Sequence, residues 1–275
     1  MFMKKMLLVG GDRRMACLAD LLEHQGFQVE TMGLRSGEIV HSDWADAVLF
    51  AYPFSVRNGV IPTLTGEKLH PETILEKIGE KALLITGKGM EGYIRQETPR
   101  VKRYTDAAVL EKRNAELSAE AAVCESMLHS RLALMDSNVL VTGYGLFGRA
   151  LALRLKALNA KVWIAARREQ QRQQAEADGM QTVSILEMAD VLPEMNLILN
   201  TVPARIFAEF HFKQIPNDCW LLELASAPYG FDAESARTMG IACAQLPGLP
   251  ARYSPESAAM ALMEAVMELT GEAAL

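Results

Sequence analysis

A chain of 275 residues, 50% of them hydrophobic and 23% charged, is long enough for one large domain or two modest ones, each with its own core. Its formal charge of −6 excludes a general nucleic-acid binder, which needs a concentrated basic face. No run approaches the ~20 apolar residues of a membrane helix, and the apolar stretch in "MFMKKMLLVGGDRR" is too short for a signal segment and reads as a first strand. Cys17, Cys124, Cys219 and Cys243 are widely spaced with no C-x-x-C pair, which suits buried, reduced thiols in a cytoplasmic protein and no metal site.

Short β-type runs alternate with helical ones. Met6–Val9 reads as a strand, and Arg13–Gln25 as a helix with Met15, Leu18, Leu21 and Leu22 on one face, ended by Gly26. Phe27–Thr31, Ala47–Ala51 and Leu83–Thr86 are further strands, with a helix over Pro71–Ile78. This alternation implies right-handed crossovers and a parallel sheet, so residues 1–104 form a small α/β domain. Residues 105–134 contain no Gly or Pro and predict one long connector helix. A second series then runs through strands at Val139–Thr142, Lys161–Ala165, Leu197–Asn200, Trp220–Leu224 and Ile241–Ala244, giving a second domain over 135–253. A closing helix, Pro255–Leu269 within 254–275, is expected to pack back on the first domain. The fold class is thus α/β, with two Rossmann-like parallel-sheet domains joined by a connector helix.

The run Gly143-Tyr144-Gly145-Leu146-Phe147-Gly148 follows a strand and opens a helix. In a dinucleotide fold the first glycine makes the tight turn, the second admits the pyrophosphate, and the third lets helix and strand pack closely. The end of the next strand normally holds an acid for the adenosine 2′-hydroxyl; here stand Ala166, Arg167 and Arg168. A carboxylate repels a 2′-phosphate, whereas arginines offer it charge-assisted hydrogen bonds, so NADP is favoured over NAD. The same arginines also suit a solvated start to the helix "RREQQRQQ".

Several further stretches go together in order: "LLVGGDRRMACLADLL", "NAELSAEAA", the glycine loop with its flanks, "LILNTVPARIF", "LLELASAPYGFD" and "PGLPARYSPESAA". In this order the chain resembles the dipicolinate synthase A-subunit family over essentially its whole length. The resemblance implies an NAD(P)-dependent oxidoreductase in the mother-cell cytoplasm of a sporulating bacterium. It would oxidise dihydrodipicolinate, or its hydrated precursor from the lysine pathway, to dipicolinate. It also implies a flavoprotein-like partner, the dipicolinate synthase B-subunit, and a fold like that of two-domain 2-hydroxyacid and alanine dehydrogenases, with the active site in the interdomain cleft. The sequence departs from the family where Ala251 replaces the glycine of a "PGLPG" segment and where Ser118-Ala-Glu120-Ala-Ala stands for "TAEGA".

A rigid dicarboxylate substrate needs cations or N–H donors at both ends. Gly10-Gly11-Asp12-Arg13-Arg14 ends the first strand at the sheet edge where α/β ligands bind, so Arg13 or Arg14 is a candidate carboxylate clamp; alternatively, Asp12 caps the helix and both arginines are solvated. Gly87-Lys88-Gly89 follows a later strand in the same way, with Lys88 a candidate acid or carboxylate ligand or else a surface lysine. Asn114, Ser118 and Glu120 on the connector are candidates for orienting substrate and nicotinamide, against a solvated helix face. Asn200-Thr201-Val202-Pro203, Ala225-Ser226 and the Gly248-Leu249-Pro250 loop end strands of the second domain and are expected to border the cofactor, with Gly248 near the substrate. His24, His41, His70, His129 and His211 form no constellation, which argues against 2-hydroxyacid oxidation with a histidine base. Aromatising a dihydropyridine ring makes a smaller demand on a base. The alternatives are an oxidoreductase of the same fold acting on an amino or keto acid, and a cofactor-binding subunit inactive without its partner. The Ala- and Met-rich closing helix also suits self-association.

Overall fold

The computed structural model describes residues 5–37, 45–56, 58–79, 81–94 and 100–271. It divides into two compact units. Unit 1 comprises Met1–Asn114 and Pro250–Leu275, and unit 2 is Ala115–Leu249.

In unit 1 five parallel strands, β1 (Lys5–Val9), β2 (Gln28–Met32), β3 (Ala47–Phe50), β4 (Leu83–Thr86) and β5 (Val101–Arg103), lie in the order β2-β1-β3-β4-β5. Strand order reverses beside β1, and in such sheets the ligand crevice opens at the carboxyl ends of the strands at that point. Helix α1 (Arg13–His24) buries Met15, Leu18, Ala19 and Leu22 at helical spacing; α2 spans Pro71–Leu75. The apolar face of α1 packs on the last helix of the chain, α9 (Pro255–Thr270), in one core that includes Leu262, Ala265 and Val266. Lys102 Nζ donates to the Leu269 carbonyl, satisfying an orphan acceptor at the end of α9.

Helix α3 is shorter than the connector expected from sequence, covering Ala108–His129. A 3-10 turn at Tyr104–Asp106 precedes it, where the Asp106 carboxylate accepts from the Arg103 amide, and Ala133–Asp136 turns again after it. The boundary between the units falls inside α3, after Asn114, so it is an element shared by both.

Unit 2 holds six parallel strands, β6 (Asn138–Thr142), β7 (Lys161–Ala166), β8 (Gln181–Ser184), β9 (Leu197–Asn200), β10 (Trp220–Glu223) and β11 (Ala242–Gln245), ordered β11-β10-β9-β6-β7-β8. Helices α4 (Leu146–Ala157), α5 (Glu169–Ala177), α6 (Glu209–Phe212), α7 (Ala233–Thr238) and the start of α8 (Leu249–Tyr253) complete it. The β6, β9 and β10 strands bury both faces, as crossover connections on either side require. Two apolar clusters sandwich this sheet, one around Val141, Leu151 and Leu199, the other around Leu140, Ile198 and Leu221. The two-sheet α/β architecture expected from sequence is what the chain adopts.

Candidate functional site

The site is a cavity of about 540 Å³ at the carboxyl edge of the second sheet, bounded by the glycine loop, the end of β7 and the 201–204 segment. The three glycines play separate parts. Gly143 has φ +86°, and a Cβ there would meet Thr201 Oγ1 and Val202 Cγ2 at 2.9 Å. A Cβ on Gly148 would overlap the Gly143 carbonyl, so the start of α4 packs directly on the turn. Gly145, the N-cap of α4, has no heavy atom within 4 Å of the position a Cβ would take. That open space lies beside a helix N-terminus whose first-turn N–H groups lack intrahelical acceptors, the arrangement a pyrophosphate fits.

At the end of β7, Ala166 is buried while Arg167 and Arg168 are exposed at the cavity. Neither arginine pairs with a carboxylate among the described residues. Arg172 instead donates to the Ala166 and Arg167 carbonyls at 2.9 and 3.2 Å. The loop itself is braced from behind: Tyr144 Oη donates to Asp178 (2.7 Å), which also accepts from Arg149 (2.8 Å). The Arg149 guanidinium, then the Tyr144 hydroxyl, hold the Asp178 carboxyl down at about 2. Burial and this carboxylate push the Tyr144 phenol well above its usual range.

Thr201, Val202 and Pro203 form the facing wall. Their shape is set by a buried chain of hydrogen bonds across three strand ends. Thr142 Oγ1 donates to Asn200 Oδ1 (2.6 Å), which also accepts from the Val202 amide (3.1 Å). Asn200 Nδ2 donates to the Val202 carbonyl and to Glu223 Oε1, at 3.0 and 2.6 Å. Glu223, 1% exposed, further accepts from the Ala225 amide (3.0 Å) and the Gly230 amide (2.6 Å). Burial raises its carboxyl above the usual range, and the N–H donors pull it back. Gly230 is needed here, because a Cβ would overlap the Asn200 amide.

Of the residues expected at the cofactor, Gly143 to Gly148, Arg167, Arg168, Thr201, Val202 and Pro203 line one cavity. Six others are not on its wall. Ala166, Asn200 and Ala225 are buried behind it, and Ser226 is exposed, its carbonyl accepting from Tyr229 N. Leu249 belongs to the unit 2 core and Pro250 opens the second segment of unit 1. Gly248 is exposed with φ +70° and open space around it.

In unit 1, Asp12 caps α1 through the Arg14 amide and grips the Arg14 guanidinium at 2.9 and 2.6 Å. Arg14 is 3% exposed and also lies over the Tyr52 ring, 5.7 Å from its centroid. The cap expected of Asp12 is present, but only Arg13 is solvent-exposed; Arg14 is a buried, paired charge. Gly10 is fixed by packing, since a Cβ would meet the Pro62 carbonyl at 2.9 Å. Gly87 backs onto Phe54, whose N and Cβ would lie 2.8 Å from an added Cβ, and Lys88 is exposed. On α3, Asn114 is half-buried and Ser118 buried, whereas exposed Glu120 faces Arg154 at 3.5 Å beside a closer Glu116–Arg154 pair at 2.6 Å.

Four histidines use a ring nitrogen locally: His24, His70 and His129 on backbone carbonyls, and His211 on the Ala208 amide; His41 lies outside the described residues. The expectation of four buried thiols is corrected at Cys124, which is exposed, and at half-buried Cys17. No group of three or more His, Cys, Asp or Glu residues is placed to hold a metal among the described residues, and no helix among them is long and apolar enough to cross a membrane. Glu223 is the residue that sequence reasoning missed; its one signal was a lone acid closing an otherwise apolar strand, "WLLE".

Fold and cavity are of the dinucleotide-binding α/β kind. Residues 108–228 match the family model described as D-isomer specific 2-hydroxyacid dehydrogenase, NAD binding domain. The chain is also similar to the dipicolinate synthase A-subunit of Bacillus subtilis (strain 168), 26% identical over 155 residues. That alignment takes in 56% of this chain and spans about half, 52%, of the relative's length. The crystal structure of the dipicolinate synthase A-subunit from Bacillus halodurans superposes with a TM-score of 0.87 at 22% identity, covering 98% of both chains. Salmonella D-lactate dehydrogenase shares the fold more distantly, with a TM-score of 0.64 and 12% identity over 97% of this chain and 96% of that one. The resemblance to the dipicolinate synthase A-subunit that the sequence motifs carry thus recurs in both a sequence relative and a whole-chain structural neighbour.

Proposed function

We propose that the chain is an NADP-dependent dehydrogenase that converts dihydrodipicolinate, or its hydrated precursor, to dipicolinate. The observation that carries the cofactor half is the cavity in which an open glycine cradle meets two exposed arginines and no acid at the end of β7. Leu146 to Gly148 would present amides to the pyrophosphate, and Arg167 and Arg168 would hold the adenosine 2′-phosphate. The bound nicotinamide supplies one piece of chemistry, a hydride acceptor. The substrate half rests on the likeness to the dipicolinate synthase A-subunit.

Loss of a hydride and a proton from the dihydropyridine ring leaves the aromatic pyridine dicarboxylate; the hydrated precursor also loses water. Such a dianion is matched by cations at the carboxyl edge of the first sheet. There exposed Arg13 is the free-standing candidate, and Arg14, neutralised by Asp12, sets the local geometry and field. Gly87, Lys88 and Gly248 complete the residues assigned to substrate, and Asn114, Ser118 and Glu120 those assigned to orienting it. Lys88 is assigned the role of an acid or a carboxylate ligand in the same reading. A partner like the dipicolinate synthase B-subunit, self-association and a mother-cell cytoplasmic location in sporulation belong to the same reading.

The test is turnover by the purified chain with NADP+ and freshly generated dihydrodipicolinate, following NADPH and dipicolinate absorbance together. Both products rise in equal amounts if the reading is right. Turnover only of a 2-hydroxy, 2-keto or amino acid overturns the substrate, and activity only after adding the flavoprotein-like partner makes the chain a dependent one.

A further inference from the structure

The cavity leaves unexplained why a carboxylate is buried behind it. If Arg167 and Arg168 at β7 take the adenosine end and Gly145 at β6 the pyrophosphate, sheet order carries the rest of a dinucleotide across β6 toward β9 and β10. That is the side on which Glu223 closes β10. Its oxygens meet three N–H donors, from Asn200, Ala225 and Gly230, and no cation pairs with it among the described residues. Two oxygens that accept from three N–H donors favour the carboxylate form, against the burial that raises this carboxyl above its usual range. An acceptor-only partner also orients the Asn200 amide: its NH2 faces Glu223, which leaves its oxygen for Thr142 and the Val202 amide.

We propose that Glu223 is a positioning residue for the cofactor wall, and that its buried negative charge makes the cavity hold the oxidised dinucleotide more tightly than the reduced one. The positively charged oxidised ring gains from a fixed anion on its side of the sheet, and the neutral reduced ring does not. Through Asn200, the same carboxylate fixes the Thr201–Pro203 wall for both forms. This inference rests on the dinucleotide reading of the cavity.

Calorimetric titration of the full chain with NADP+ and with NADPH tests it. A tenfold preference corresponds to about 1.4 kcal/mol, the scale on which a fixed anion acts on a cation through protein. Wild type is therefore expected to bind NADP+ more tightly than NADPH, and Glu223→Gln to lose about tenfold of that preference. Asn200→Ser cuts the link but keeps the charge, so it weakens both forms by a similar factor and leaves their ratio in place. A structural role alone would move neither ratio. An unchanged ratio in Glu223→Gln overturns the inference, as does an equal loss of ratio in Asn200→Ser. Each ratio is taken on a single preparation, so a partly folded variant still reports it. Should Glu223→Gln not fold at all, wild type decides, because NADP+ binding no tighter than NADPH overturns the claim. Failure of wild type to bind either dinucleotide instead overturns the reading of the cavity itself.

Discussion

Replacing Arg167 and Arg168 together by alanine isolates the choice of cofactor from the ability to bind one. Both guanidinium groups are exposed and pair with no carboxylate among the described residues, so their removal strands no buried partner. Folding stability is expected to stay within about 0.5 kcal/mol of wild type. A charge-assisted hydrogen bond contributes about 1.5–3 kcal/mol when shielded, and less at an exposed site screened by salt. Taking about 1–1.5 kcal/mol for each head, the pair contributes roughly 2–3 kcal/mol to binding a 2′-phosphate, or roughly 30- to 150-fold in Kd. Arg172 cannot step in, because its head is committed to the Ala166 and Arg167 carbonyls. Titration calorimetry at fixed ionic strength should find NADP+ binding weakened by that factor and NAD+ binding changed by less than about threefold. An equal loss for both cofactors, or none for NADP+, would refute the assignment of these arginines to the phosphate.

Further perturbations test other parts of the site. Gly145→Ala adds a methyl where no atom lies within 4 Å at an ordinary φ of −85°, so thermal stability should hold while dinucleotide affinity falls at least about tenfold. By contrast, Gly148→Ala drives a Cβ into the Gly143 carbonyl and should cost about 1–3 kcal/mol in urea unfolding. Asp178→Asn should cost about 1 kcal/mol at pH 7, because Arg149 is half exposed and the pair is screened. The native carboxyl sits at about 2, below its unfolded value, so its contribution is complete above about pH 4 and fades as pH falls through about 2. Unfolding curves at stepped pH should bring variant and wild type together over that window, and a gap constant with pH would contradict the linkage. Asp12→Ala removes both the α1 cap and the carboxylate that neutralises a guanidinium 3% exposed; a loss of about 3 kcal/mol or more is expected by chemical denaturation.

What the sequence displayed and what it concealed follow from where each element sits. Leu83–Thr86 and Leu197–Asn200 are buried central strands, and their continuous apolar runs announce them to the residue. The edge strands are different. Val101–Arg103 is exposed at every position and Gln181–Ser184 buries none fully, so neither carries the apolar pattern from which a strand is predicted. The connector helix is predicted too long because no Gly or Pro marks its ends; a local Asp106–Arg103 hydrogen bond makes the entry turn. In the site, the glycine loop is legible because each glycine answers a steric need within a few residues. Asn200 is conspicuous at the end of its strand, yet it serves the wall behind the cavity rather than the cavity itself. Its partners Thr142 and Glu223 are 58 and 23 residues away, and only strand pairing brings them within reach. The Asp12–Arg14 grip is hidden for another reason: two adjacent arginines at a helix start look alike in sequence, and only the helix turn buries one of them.

The interleaving of the two units has a consequence for biosynthesis. Ala115–Leu249 is one uninterrupted segment, so all of its sheet is translated before α9 exists. Unit 1 begins first, yet Leu18 and Leu22 on α1 wait for Leu262 and Val266 to close the core they share. A nascent chain halted just after Leu249 should therefore carry a protease-resistant nucleotide-binding half behind an unfinished amino-terminal one, reversing the usual amino-terminal-first order of emergence.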